Sequence, residues 1–148
     1  MSAPPTPARP WALTLARLAL AAIFLYFGAG ELVQPGPWVG YLPPLFAGQV
    51  AVDLVLVHGF VLFVAGAALA AGAYPRVVLP LSVLLMATVA ADLLLRSGPS
   101  AIWMRDLGLT ALALALWADG GGWTVHDLGA HPSSPAHDPD RRPGALAR

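Results

Sequence analysis

Residues 49–71 read QVAVDLVLVHGFVLFVAGAALAA, and this stretch decides the fold class. Asp53 is its only charged residue. As a helix rising about 1.5 Å per residue, the stretch is long enough to cross a hydrocarbon layer about 30 Å thick. Its last part is rich in Gly and Ala, which allow helices to pack closely. The stretch therefore predicts a transmembrane helix that packs against other helices.

Three more apolar segments of similar length accompany it. They span residues 11–33, 77–95 and 101–118. The connection at 34–48 is too rich in Pro and Gly to be one continuous helix, and the other two connections are short turns. The sequence therefore predicts an all-α, four-helix transmembrane bundle.

Polar segments flank this bundle, which is predicted to occupy residues 11–118. The Pro-rich residues 1–10 are predicted to be a disordered arm. Residues 119–148 are predicted to be a polar and largely disordered tail.

Composition supports a membrane protein and excludes several function classes. The chain of 148 residues is 57% hydrophobic and only 11% charged, with a mean hydropathy of +0.69, whereas soluble domains carry about 25% charged residues. Lipid is therefore the predicted partner surface. The net charge is zero, which argues against a nucleic-acid partner. Without cysteine the chain has no disulfide, thiolate metal site or CxxC redox motif of its own.

The distribution of arginine predicts the orientation. In a four-span topology most arginines fall on one side, namely Arg9, Arg17, Arg76, Arg141, Arg142 and Arg148. Only Arg96 and Arg105 fall on the other. The positive-inside rule then places both termini in the cytoplasm of a multi-pass protein of the inner or plasma membrane. Near the end of its span, Arg17 is expected to reach the headgroups with its long side chain.

The same topology gathers ionisable residues at the outer end of the bundle. The candidate ligand-binding residues are Glu31, Asp53, His58, Asp92, Arg105 and Asp106. Charges inside membrane spans are costly and normally face the bundle interior. Asp92 and Arg105 lie almost symmetrically about the turn near Gly98, so a hydrogen-bonded pair between them is predicted. The cluster fits either a structural network that fixes helix register or a site that binds or protonates a ligand.

His58 is predicted to lie below this cluster, roughly 14 Å inside its span. It points away from Asp53, since five residues of helix separate their directions by about 140°. The histidine fits either a structural hydrogen bond to a neighbouring helix or contact with a ligand or proton. Carboxylates outnumber arginines in the cluster, so a surplus acid is expected that must be hydrated, protonated or bound.

Aromatic residues near the span ends are predicted to anchor the bundle at the membrane interface, and these are Trp11, Trp38, Tyr41, Trp103 and Trp117. For Trp38 and Tyr41 a lid over a pocket is the alternative. No catalytic motif is recognisable, and the irregular spacing of His126, His131 and His137 predicts no metal site. Only one histidine lies in a span, which argues against haem b.

Several motifs resemble the DoxX family of small four-helix membrane proteins, over about residues 11–128. They are Arg17-Leu18-Ala19-Leu20 with Ile23-Phe24 and Gly28/Gly30, Gln34 to Trp38 with Tyr41-Leu42-Pro43, His58-Gly59 with Gly66 and Gly72, Arg105-Asp106-Leu107-Gly108-Leu109, and Trp123 to Asp127. The RDLGL segment is the most specific of them. Leu32, and Leu62 or Phe63, stand where the family often has Lys and Glu.

The resemblance implies a subunit or accessory of a membrane redox system that acts on sulfur compounds, quinones or oxidative stress. It implies a possible quinone ligand and redox partner proteins, with no cofactor held by this chain alone. A small transporter for protons or a solute, and a structural membrane scaffold, are the alternative functions. The chain is more readily an accessory subunit than an enzyme.

Overall fold

The structure is a computed structural model that describes residues 10–120 and consists of helices. The helices are α1 (Pro10–Val33), the short α2 (Gly36–Val39), α3 (Gly48–Ala71), α4 (Pro75–Ser97) and α5 (Ala101–Ala118). The four long ones are long and apolar enough to cross a membrane. This is the architecture of a multi-pass membrane protein and agrees with the predicted four-span bundle. The predicted terminal arm and the histidines of the tail lie outside the described residues.

Local chemistry explains the helix ends. Gly72 ends α3 in the left-handed conformation with φ 66°, which glycine adopts without steric cost. The Ser100 hydroxyl caps α5 by accepting a hydrogen bond from the backbone N–H of Trp103 at 3.2 Å. Helix α4 begins at Pro75, two residues before the predicted start, because proline at the first helical position lacks only an N–H that would have no partner there. Pro80 consequently lies inside the helix and not in its first turn.

Glycines bring α1 and α3 into direct backbone contact. A Cβ added at Gly28 would lie 2.6 Å from the backbone nitrogen of Phe63. One added at Gly66 would lie 2.9 Å from the backbone nitrogen of Leu25. Neither position can hold a side chain without moving a helix. The predicted close packing by small residues is therefore confirmed at these positions.

The bundle has two ends that differ in character. At the loop end, α1 and α4 finish, α3 and α5 begin, and residues 34–47 connect α1 to α3. Away from this end the interior is an apolar core of buried side chains, among them Leu20, Leu69, Leu79, Ala113 and Leu116. Helix α1 packs mainly against α3, and α4 mainly against α5, while α3 and α4 contact each other much less.

Arg17 lies towards the opposite end and is only 4% exposed. Its guanidinium packs against Gly72, where an added Cβ would lie 3.2 Å from both Nη atoms. Helix C-termini attract cations through their unsatisfied carbonyls. The expectation that Arg17 reaches outward to the headgroups is therefore wrong, because the end of α3 offers it a position inside the bundle.

Candidate functional site

A cavity of about 370 Å³ lies at the loop end between α1, α3, α4 and α5. Its apolar wall is formed by Ile23, Phe24, Phe27, Leu42, Pro43, Val55, Leu62, Met86, Val89, Leu93, Ile102 and Leu109. Its polar and amphipathic wall is formed by Glu31, Trp38, Tyr41, His58, Thr88, Asp92, Arg105 and Asp106. A mostly apolar cavity with a few polar groups is typical of small-molecule sites, which measure about 300–1,000 Å³.

Glu31 and His58 join α1 to α3 beside this cavity. The His58 Nδ1 atom lies 2.7 Å from Glu31 Oε2, and Glu31 is only 5% exposed. Gly59 permits the approach, because a Cβ there would lie 2.7 Å from the Glu31 Cβ. If the carboxylate is ionised it can only accept, so Nδ1 donates, and in a neutral ring Nε2 is then an acceptor. That Nε2 atom is buried and has no hydrogen-bond partner in the described chain.

Arg105 and Asp106 form a second pair at the start of α5. The Arg105 Nε donates to Asp106 Oδ1 at 2.7 Å, and Asp106 is 2% exposed. The guanidinium carbon lies 4.5 Å from the centre of the Phe27 ring, a cation–π contact that links α5 to α1. The second carboxylate oxygen, Oδ2, is buried without a hydrogen-bond partner among residues 10–120. The two pairs therefore each leave one unsatisfied polar atom on a residue that lines the cavity.

The 34–47 connection, called the cover loop below, closes part of the loop end. The Trp38 ring meets Phe27 edge to face, with centroids 5.7 Å apart. Trp38 and Tyr41 also contact each other, with centroids 6.1 Å apart. Both residues line the cavity. Their position agrees with the lid alternative, while their role as membrane anchors stays a prediction.

Arg96 holds the cover loop on α4. Its Nη1 donates to the carbonyl oxygen of Leu42 at 3.0 Å, and its Nη2 donates to that of Tyr41. Its Nε donates to Asp92 Oδ2 at 2.9 Å, one helical turn earlier. The spacing of Asp92 and Arg96 could have indicated their pairing from the sequence. The contact of Arg96 with the carbonyls of Tyr41 and Leu42, called the latch below, has no sequence signal and was not predicted.

The predicted hydrogen bond between Asp92 and Arg105 is therefore wrong. Both residues line the cavity, as their symmetry about the 98–100 turn implied. Each has a nearer partner on its own helix, Arg96 for Asp92 and Asp106 for Arg105. A partner on the same helix requires no agreement between two helices, and so these local pairs form.

Asp53 does not belong to the cavity. It is exposed and accepts a hydrogen bond from Gln49 Nε2 at 2.8 Å. His58 was expected below Glu31, but the two side chains meet, because the cover loop lets α3 start beyond the end of α1. Glu31, Asp92 and Asp106 each have a hydrogen-bond partner, but only Arg96 and Arg105 supply a fixed positive charge, so the expected surplus of acids over arginines remains beside this cavity.

No group of three His, Asp or Glu side chains in the described part of the chain could hold a metal ion. Trp11 and Trp117 are about half exposed on the bundle surface.

Comparisons with family models, with curated proteins and with solved structures find no match to this chain. Its function is therefore argued from the cavity.

Proposed function

We propose that this protein binds the headgroup of a quinone-type compound in the cavity at the loop end, as a DoxX-like accessory subunit of a membrane redox system. The observation that carries the proposal is an apolar, aromatic-walled cavity lined by two residues that each carry a buried polar atom without a partner. These atoms are His58 Nε2 and Asp106 Oδ2. Buried polar atoms without hydrogen bonds are costly, and a ligand that bonds to them is correspondingly favoured.

The hydrogen-bonding capacity of the wall fits both redox forms of such a headgroup. With Nδ1 donating to Glu31 and Asp106 ionised, both unpartnered atoms accept, which suits the hydroxyls of a quinol. Arg105 uses its Nε for Asp106, and its two Nη groups make no hydrogen bond within the described residues. These donors suit the carbonyl oxygens of the oxidised quinone. Phe27 and Trp38 supply aromatic faces and edges for a flat ring.

A permeation pathway fits the structure less well. Polar cavity side chains are concentrated at the loop end, and the buried layer beyond them includes Leu20, Leu69, Leu79 and Leu116. A proton or small polar solute would have to cross this apolar layer before it reached the buried Arg17 near the opposite end. A purely structural role explains the ion pairs but leaves a cavity of this volume without a purpose.

The orientation is also a proposal. The excess of arginine on the side of the two termini supports cytoplasmic termini and a cavity that opens towards the extracytoplasmic face. Single cysteines test this cleanly, since the chain has none. A thiol reagent that cannot cross the membrane should label Pro44→Cys and not Ser2→Cys in intact cells. The reverse pattern would invert the topology.

Photo-crosslinking tests the binding proposal. The purified chain, in liposomes, is irradiated with a short-chain azidoquinone, and the labelled peptides are mapped. Label should fall on α3 and α5 and decrease by roughly tenfold in His58→Gln and Asp106→Asn, about the effect of one hydrogen bond to a buried group. Asp53→Asn is the matched control because Asp53 lies outside the cavity. Equal labelling of all three variants would refute the proposal.

A further inference from the structure

The structure contains a second apolar space, on the face of the bundle between α3 and α4. This groove has a volume of about 540 Å³. Its α3 wall includes Phe60, Val64 and Ala68, and its α4 wall includes Leu81 and Leu85. It exists because α3 and α4 contact each other little, although only a short turn connects them.

The groove offers very little polar surface to an occupant. The Ser82 hydroxyl donates to the carbonyl oxygen of Val78 at 2.8 Å, and the Thr88 hydroxyl donates to that of Leu85 at 2.8 Å. These intrahelical bonds satisfy the two hydroxyls that the groove contains. The surface of the groove is therefore suited to a hydrocarbon chain.

The groove adjoins the cavity. Thr88 lines both spaces. On α3 the groove begins at Phe60, two residues after His58, and continues to Ala68, a distance of roughly 12 Å at 1.5 Å per residue. Since α3 runs away from the loop end, the groove descends from the level of the cavity towards the opposite end of the bundle.

We infer that this groove binds the apolar chain of the same ligand whose headgroup occupies the cavity, an inference that rests on the proposed function. The ligand is then a membrane amphiphile that enters sideways between α3 and α4. Continuity through Thr88 and the satisfied hydroxyls favour this occupant over a second copy of the protein. A water-soluble headgroup without a chain would use only the cavity.

The test uses two photoactivatable probes with the full chain in phosphatidylcholine liposomes. The long probe is a benzoquinone with a decyl chain that ends in a diazirine, and the chain probe is decanol with the same diazirine. Ala68→Phe fills the groove, and Ala67→Phe is the matched control, since Ala67 is exposed and lies outside the groove. Headgroup labelling by the short azidoquinone verifies that each variant keeps its cavity.

The long probe should label α3 and α4 along the groove. This label should fall by roughly tenfold in Ala68→Phe and in His58→Gln and remain in Ala67→Phe. Cavity labelling by the short probe without groove labelling by the long one would overturn this inference and leave the proposed function intact. Groove labelling that is equal for both probes and insensitive to His58→Gln would overturn this inference, and the proposed function would fall with it only if cavity labelling by the short probe were also insensitive to His58→Gln. Loss of a dimer in Ala68→Phe, with no groove label, would identify the groove as an interface between copies instead.

Discussion

The two faces of α3 differ in how they meet the rest of the bundle. Towards α1, glycines allow direct backbone contact, and Glu31 reaches His58 across the interface. Towards α4, the side chains leave an open apolar groove. The close-packed face of α3 towards α1, called the rigid face below, positions polar groups. The loosely packed face towards α4 leaves the groove open. The difference follows from side-chain size at a few positions and not from overall hydrophobicity, which is high on both faces.

The largest expected effect comes from filling the rigid face. In Gly28→Ala the new methyl group would meet the backbone nitrogen of Phe63 at 2.6 Å, so α1 and α3 must separate. We expect a loss of about 3 kcal/mol or more in the free energy of unfolding, at the upper end of overpacking costs. Denaturation of the purified protein in mixed micelles measures it.

Gly108→Ala is the matched control for this substitution. Gly108 lies in α5 with nothing within 4 Å of an added Cβ, and alanine favours a helix by roughly 0.5–1 kcal/mol over glycine. Gly108→Ala should therefore be neutral or stabilising. Equal losses in the two variants would mean that the α1–α3 contact is not tight.

The next effect concerns the pair that the rigid face carries. Glu31→Ala should cost about 2–3 kcal/mol, because it removes a charge-assisted hydrogen bond and leaves the His58 ring with two unpartnered nitrogens. Glu31→Gln should cost less, since the amide oxygen can still accept from Nδ1. The double variant Glu31→Ala/His58→Ala should lose less than the sum of the single losses. Additive losses would show that the pair does not interact.

A second double-mutant cycle separates the observed pairing of Arg105 from the one expected from the symmetry of the α4–α5 hairpin. Arg105→Ala and Asp106→Ala should be coupled by about 1–2 kcal/mol, because they share a hydrogen bond at 2.7 Å. Arg105→Ala and Asp92→Ala should be additive, since Asp92 is bonded to Arg96. Strong coupling of Asp92 with Arg105 would contradict this pairing.

The smallest effect on stability is expected at the latch. Arg96→Ala removes the contacts to the carbonyls of Tyr41 and Leu42, and a partly exposed pair contributes less than about 1 kcal/mol. Amide hydrogen exchange in residues 38–42 should nevertheless become several-fold faster, because the cover loop loses its anchor. Arg76→Ala, an exposed arginine at the opposite end, is the control. Unchanged exchange in Arg96→Ala would show that other contacts hold the loop.

Hydrophobic patterning was sufficient to predict the four spans, and their boundaries agree with the structure within about two residues. The largest differences are at the two ends of α4, which begins at Pro75 and ends at Ser97, each two residues outside the predicted bounds. At Pro75 the preference of proline for the first helical position prevails over the apolar pattern. Helix direction also placed Asp92, Arg105 and Asp106 at one end. The span boundaries depend on the residue pattern within single helices, and the placement of these residues at one end depends on the alternating direction of the helices.

The partners of the polar residues could not be predicted in the same way. Pairing of Glu31 with His58 depends on how far α3 extends beyond α1, which the cover loop determines and the helical periodicity does not. The contact of Arg96 with loop carbonyls likewise depends on tertiary structure. Asp53 is exposed and lies outside the cavity, because the glycines that contact α1 decide which face of α3 turns inward.

The most direct test of the central claim is the equilibrium affinity of the purified protein for a short-chain quinol, followed by the fluorescence of Trp38 in the cavity wall. A variant with Trp38 as its only tryptophan isolates this signal. Asp106→Asn replaces one acceptor oxygen by a donor and should weaken binding by roughly tenfold, while Asp53→Asn should leave it unchanged. Equal affinities in Asp106→Asn and Asp53→Asn, or no binding to the unsubstituted protein, would contradict the assignment of this cavity as a ligand site.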